Sequence, residues 1–506
     1  MKIIKLVAGL TLLGSLTFSA CSLDYNPVDT YSDVDQGEGD NNKEVVFKDK
    51  EAVLSHRQSL YKTVRDGQEH WYLDVLLLAE AHADNAYAGT IGAEVVPFEN
   101  NAIEGSNSVI SRDWNRHLAN VAAANKLICN IDDVKDPALT AEEKAQYKAE
   151  AKIYRAMIYF DMVRIWGRVP VITTVAGDIT SETIGEVYDD YFPSQSSEKE
   201  VYLQIEKDLL EGLEYAPKNN PADKTLFSKS LAKALLAKVY AEKTLRDYDK
   251  VIKYADELTA DGFALEADFT NLFGMNDAVT DVKMRNTQES ILEARFFPGS
   301  GNWCTWMFGR DLVNWNNNFT WAKWITPSRD LIKLFKSEGD NIRFEESVVY
   351  YKASWSIYYP ADEYPFMYKC RSSYSSIIKY RYADILLLKA EALILSESPR
   401  LQEAADIINQ VRARVKLPKL TSVEKQDQNS MLNALLKERR LELAFEGERW
   451  FDLVRLDKVE EYMNVVFDKD PGRKPKAYQF DKDSYLLPIP QNAIDENSKL
   501  TQNPGY

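Results

Sequence analysis

Histidine and cysteine are scarce, at four of each in 506 residues, and no C-x-x-C pair occurs among Cys21, Cys129, Cys304 and Cys370. That leaves little from which to build a zinc site. If Cys21 is consumed by modification, three cysteines remain, which excludes a disulfide framework and allows at most one bridge. Positive charge is also short: 62 Lys and Arg stand against 78 Asp and Glu, a net charge of −16. Nucleic acid demands a basic face, so it is excluded as a partner, and electrostatic attraction to anionic lipid is excluded with it. No G-x-S-x-G, Walker loop, G-x-G-x-x-G or H-E-x-x-H occurs, so no motif calls for a cofactor. Glu80, His82 and Asp84 alternate, but a two-residue step does not put ligands on one helical face. They read as a helix-to-loop surface, with no metal.

What is present begins at the N-terminus. Lys2 and Lys5 precede an uncharged apolar stretch from Leu6 to Leu16, and Ser19-Ala20 leads directly into Cys21. Residues 1–20 therefore read as a cleavable export signal, too short to span a membrane. A cysteine after the small pair can carry a diacylglycerol on its thiol and a further acyl chain on the freed amine. Each buried methylene contributes about 0.8 kcal/mol, so two or more chains anchor stably. Residues 21–45 then read as a lipidated flexible tether: Asp29, Asp33, Asp35, Glu38 and Asp40 alternate with Asn, Gly and Ser and offer little apolar area to offset ordering entropy.

From residue 46 the pattern predicts a single, mainly α domain. Thr140 and Glu143 form a capping-box pair. Tyr147, Ala151, Tyr154, Ile158, Met162 and Ile165 then recur at three- and four-residue steps on one stripe, up to Gly167 and Pro170. A second helix starts at Ser197 with Glu200 three residues on and ends at Pro217. Two helical hairpins follow, one through Leu231–Ala241 and Val251–Leu258, the other through Ala390–Leu393 and Ala404–Val411. Small residues at the crossings and about 34 residues per pair give the tetratricopeptide pattern. The expected architecture is a tetratricopeptide-like helical-pair scaffold over 46–270 and 375–460. A large irregular, loop-rich region with short strands fills 271–374, and an irregular tail covers 461–506.

The loop region holds five of the ten tryptophans between residues 303 and 324: Trp303, Trp306, Trp315, Trp321 and Trp324. Arg310, Asn314 and Asn316 stand among them. A pyranose presents a C–H face that stacks on flat rings and a hydroxyl rim that needs amide, guanidinium and carboxylate partners, so the mixture suits a sugar platform. The same rings could instead pack the loops onto the helices, and both readings stand at this point. The Tyr-rich run from Tyr350 to Tyr368 partly alternates as a strand does and reads as structural. The charge-dense passage from Glu438 to Arg455 reads as ion pairs tying the last long helix to its neighbours, with Gly447 allowing a break.

Three passages, AEAKIYRAMIYFDMVRIWGRVP (149–170), LLKERRLELAFEGERWFDLVR (435–455) and YLLPIPQNAIDENSKLTQNPGY (485–506), stand in order after Cys21 and Leu23-Asp24-Tyr25-Asn26-Pro27. As a set they resemble the SusD/RagB family from Cys21 to Tyr506. The resemblance implies a lipoprotein on the outer face of a Gram-negative outer membrane. Such a protein would bind oligosaccharide, or in some members peptide, and deliver it without catalysis to a SusC-like TonB-dependent transporter. It also implies ligand contacts from the loop after an early helix, here residues 83–107 with Asp84 and Tyr87, as well as from the later loops. The rivals from other classes are a lipid-anchored glycoside hydrolase, which needs two opposed carboxylates, and a structural scaffold for protein assembly.

Overall fold

A helix buried on every side over its second half sits at the centre of the structure, a computed structural model that describes residues 45–89, 94–297, 301–307, 324–353 and 358–506. The signal, Cys21 and the tether lie outside the described residues. In chain order the first helices are α1 (Lys50–Asp66), α2 (Ser108–Asn130), α3 (Ala141–Trp166), α4 (Glu198–Tyr215), α5 (Lys229–Ala241) and α6 (Tyr248–Ala260). The central one is α3. Its capping box is in place, with Thr140 Oγ1 accepting from Glu143 N at 3.2 Å and Glu143 Oε2 accepting from Thr140 N at 3.1 Å. The expected single apolar stripe holds only at its start; from Ile153 to Trp166 every residue is buried, because α1, α2, α4 and α5 pack around it.

The first of the two expected helical hairpins forms as the spacing predicts, α5 against α6, and α3 in addition lies against α4. On α4, a Cβ at Gly212 would lie 2.6 Å from Ile153 Cγ1 of α3, so only glycine permits that approach. Later come α7 (Arg329–Glu338), α8 (Asn341–Ser347), α9 (Tyr382–Leu395), α10 (Leu401–Arg414), α11 (Gln428–Glu442), α12 (Arg449–Arg455) and α13 (Val459–Lys469). Here α9 packs on α10, α6 and α11. The last long helix breaks before α12, where Gly447 adopts φ +85°. The start of the expected irregular tail is helical, since α13 runs to Lys469; beyond it Phe480, Leu487, Ile489 and Leu500 are buried.

Among the described residues there are three short antiparallel pairs: β1 (Ala86–Ala88) with β3 (Ile325–Pro327), β2 (Ser290–Ala294) with β6 (Ile377–Arg381), and β4 (Val348–Tyr351) with β5 (Tyr364–Met367). Tyr364 and Phe366 of the Tyr-rich run are buried in the last pair, but so is Met367, and burial does not alternate along β5. The charged passage forms a buried ion-pair network. Arg439 reaches Asp384 at 2.7 Å and Asp452 at 2.8 Å, Arg455 reaches Glu391 at 2.6 Å, and Arg343 reaches Glu438 at 2.7 Å. Removing one partner of such a pair strands a charge and costs about 3–5 kcal/mol. Among the described residues, no helix is long and apolar enough to cross a membrane.

Candidate functional site

The two chain segments expected to carry ligand contacts meet through the β1–β3 pair, in which Ala86 faces Pro327, Tyr87 faces Thr326 and Ala88 faces Ile325. Gly89 extends the pairing by donating its N–H to the carbonyl of Trp324 at 2.8 Å. The early loop and the end of the Trp/Asn-rich segment are therefore neighbours, although more than two hundred residues separate them in the chain.

Within the early loop, Asp84 and Tyr87 point inward. Asp84 is 2% exposed; its two oxygens accept from Arg449 at 2.7 and 2.9 Å, and Arg440 stands 3.3 Å away. Burial pushes its carboxyl up, but Arg440 and Arg449 outweigh it and hold it well below the usual carboxylate range. The carboxyl also floors an open groove of about 620 Å³ between α7 and α13, with its oxygens already engaged. Tyr87 is fully buried, donates to Asp470 and stacks on Tyr358 at 4.6 Å. Burial and that hydrogen bond push its phenol up. These side chains fix the loop, a correction to their expected role, and their partners come from the far end of the chain. Glu80 and His82 are likewise buried, which corrects the surface reading. Glu80 accepts from Asn85 at 2.8 Å and Gly447 N at 2.9 Å, and His82 Nδ1 bonds Phe98 O at 2.6 Å. No group of metal-ligating side chains is assembled among the described residues.

Of the tryptophan cluster, Trp303 and Trp324 can be placed. Trp303 is 36% exposed, and its backbone is pinned: Gln68 Oε1 accepts from Trp303 N at 2.7 Å while Gln68 Nε2 donates to Gly301 O at 2.8 Å. Asn302 adds bonds to Ser373 and Ser375. Trp324 is half-buried, with the Arg112 guanidinium 5.9 Å from its ring, within reach of a cation–π attraction. Trp306 lies on a short helical turn, Cys304–Met307. Arg310, Asn314, Trp315, Asn316 and Trp321 lie outside the described residues.

Gln68 and Arg112 carry no local signal as site residues; they belong to the helical stretch around Glu69–Leu73 and to α2. Arg112 is held by Asp74, and the neighbouring Arg116 by Glu69. Asp74 is buried beside Asp113, and the two carboxyls are hydrogen-bonded to each other. Burial pushes both carboxyls up, and for Asp113 the adjacent Asp74 adds to the rise. The pair thus favours holding a proton. Of these groups Glu69, Arg112 and Arg116 are partly exposed, whereas Gln68, Asp74 and Asp113 are buried.

With that geometry in place, similarity to known proteins becomes informative. Residues 262–506 match the family model described as "SusD family", and residues 32–241 match "Starch-binding associating with outer membrane". A SusD-like protein P2 of Formosa agariphila is 28% identical over 481 residues, covering 85% of this chain and 87% of that protein. Among solved structures, a laminarin-binding SusD-like protein aligns at 24% identity with a TM-score of 0.69, over 91% of this chain and all of that one. A surface glycan-binding protein A from Bacteroides thetaiotaomicron, in complex with laminarihexaose, aligns at 18% identity with a TM-score of 0.69, over 90% of this chain and all of that one. The two family models cover complementary halves of the sequence, and the chain belongs to the SusD/RagB family.

Proposed function

We propose that this protein is a non-catalytic lipoprotein that binds oligosaccharide with the Trp/Asn-rich segment between Trp303 and Trp324. It would pass its ligand to a SusC-like TonB-dependent transporter in the outer membrane. The observation that carries the reading is the placement of these two indoles. They stand at the ends of the Trp/Asn-rich segment, one pinned by Gln68 and the other under Arg112. Rings supply stacking area with few rotors to freeze, and the partly exposed Arg112 and the interleaved Asn side chains supply hydroxyl partners. Arg310, Asn314, Asn316, Trp306, Trp315 and Trp321 complete the platform in this reading. Lipid on Cys21 would hold the body at the outer membrane, facing the exterior. The names of the structural neighbours make a β-glucan the first ligand class to try.

The test is incubation of the purified protein with a panel of oligosaccharides that includes laminarihexaose, followed by a binding measurement and an assay for new reducing ends. Binding without new reducing ends supports the reading; turnover assigns the protein to the hydrolases.

A further inference from the structure

A cavity of about 70 Å³ lies inside the fold, walled by α3, β6, the helical stretch Glu69–Leu73 and the turn before α12. The segment that carries Trp303 closes one side of it. Cys304, the next residue, lines the cavity, and Asn302 is bonded to Ser373 O at 2.9 Å and Ser375 O at 2.7 Å, just before Ser376 on the same wall. Trp71, three residues after the Gln68 that holds Trp303, lines it as well. One water needs about 10–15 Å³ in such a space, so the cavity has room for about five to seven, roughly the bulk of one pyranose.

The charges on the wall cancel. Asp161 pairs with Arg164 at 2.7 Å and with Lys379 at 3.2 Å, Glu446 with Lys369, and Glu448 with Lys238 at 2.8 Å, while the Ser376 hydroxyl is taken by Glu293. Two polar atoms remain: the Trp71 Nε1–H and the Tyr380 hydroxyl are buried and have no hydrogen-bond partner among the described residues. The Tyr380 hydroxyl interacts electrostatically with Asp161, Arg164, Glu448 and Asp384, the first three of which line the cavity. Burial pushes this phenol up, so it stays protonated and can donate. Lys379 stands 5.1 Å from the Trp71 ring and 5.6 Å from the Tyr380 ring, and Lys369 stands 4.9 Å from the Phe273 ring; Leu76, Met367 and Phe445 add an apolar wall. A buried polar atom without a partner calls for an explanation such as ordered water or a ligand. Each buried water needs two to four polar partners, and a cluster filling this space would find two unpaired donors beside apolar side chains. A neutral ring with oxygens on its rim and C–H groups on its face meets both kinds of wall.

We propose that this cavity binds one neutral pyranose ring, with Trp71 and Tyr380 donating to its oxygens and Met367 and Phe445 meeting its C–H face. The proposal rests on the glycan-binding reading above and names where a single sugar residue is held. The ring has two sources, a free monosaccharide or the end residue of an oligosaccharide held at Trp303, and the chemistry of recognition is the same for both. An unpaired phenol in the interior costs stability while the cavity holds no ligand. Tyr380→Phe removes that cost together with one contact to the sugar, so stability and affinity move in opposite directions.

The experiment is calorimetric titration of the full chain and of Tyr380→Phe with glucose, galactose, mannose, glucuronate and laminarihexaose, with unfolding curves of both proteins. At least one neutral probe should bind the unchanged chain and lose about three- to tenfold in affinity in Tyr380→Phe, whose unfolding midpoint should not fall. A loss with a monosaccharide but not with the hexaose assigns the cavity to free sugar; a loss with the hexaose assigns it to a chain end. Glucuronate bound as tightly as the neutral sugars overturns the neutral assignment. Crystals of the unchanged protein soaked with the tightest-binding probe give a reading that needs no variant: a sugar ring in the cavity supports the site, and ordered water alone there overturns it. Hexaose affinity unchanged by Tyr380→Phe, with no monosaccharide bound, overturns the cavity site and leaves the glycan reading standing. Absence of binding by every probe overturns both.

Discussion

Gln68 grips the backbone on both sides of Asn302, accepting from Trp303 N at 2.7 Å and donating to Gly301 O at 2.8 Å. A single side chain on the scaffold therefore sets where the Trp/Asn-rich segment begins. Gln68→Ala should lower affinity for oligosaccharide by about tenfold while costing only about 1–2 kcal/mol of stability. Titration and denaturant unfolding of the same variant separate the two effects.

Asp84 offers the opposite pattern. Removing its carboxylate leaves Arg449 without its ion-pair partner in the interior. Asp84→Ala should cost about 3–5 kcal/mol of stability with ligand affinity unchanged in whatever fraction stays folded. An affinity loss without a stability loss would return Asp84 to the binding surface.

Glu80 should leave a mark on the pH dependence of stability. Burial pushes its carboxyl from the usual 4.5 up to about 7. The folded state therefore binds this proton more tightly than the unfolded chain does. The resulting stabilisation is full below about pH 4.5 and fades as pH rises through 7, a loss on the order of 3 kcal/mol from this group. Denaturant midpoints for Glu80→Gln measured from pH 4.5 to 7.5 should fall less steeply than those of the unchanged protein.

Cys21 governs attachment. Cys21→Ala should move the protein from the membrane fraction to the soluble fraction of the cell envelope, read by fractionation and immunoblot. Persistent membrane association would mean that the lipid is not the anchor.

Much of the frame is legible along the chain because its determinants are local. Thr140 and Glu143 announce the start of α3, small residues mark the paired helices, and Gly447 marks the break before α12. The charged run from Glu438 to Arg455 is readable as ion pairs from its density of opposite charge, but only Arg455–Asp452 pairs at helical spacing; the other partners, Asp384, Glu391 and Arg343, come from distant helices. Asp84 and Tyr87 mislead because their environment is set by Arg449 and Asp470, which no local pattern connects to them. Gln68 and Arg112 escape notice for the same reason: each looks like an ordinary polar residue until Trp303 and Trp324 arrive from elsewhere in the chain. Position in a loop locates a segment, but only non-local partners decide which side chains face out.

Titration of the full chain and of a Trp303→Ala/Trp324→Ala variant with laminarihexaose and the rest of the oligosaccharide panel tests the central claim most directly. The account predicts saturable binding by the unchanged protein, a loss of at least about tenfold in the variant, and unfolding curves that show the variant still folded. Equal affinity in the two proteins would contradict it.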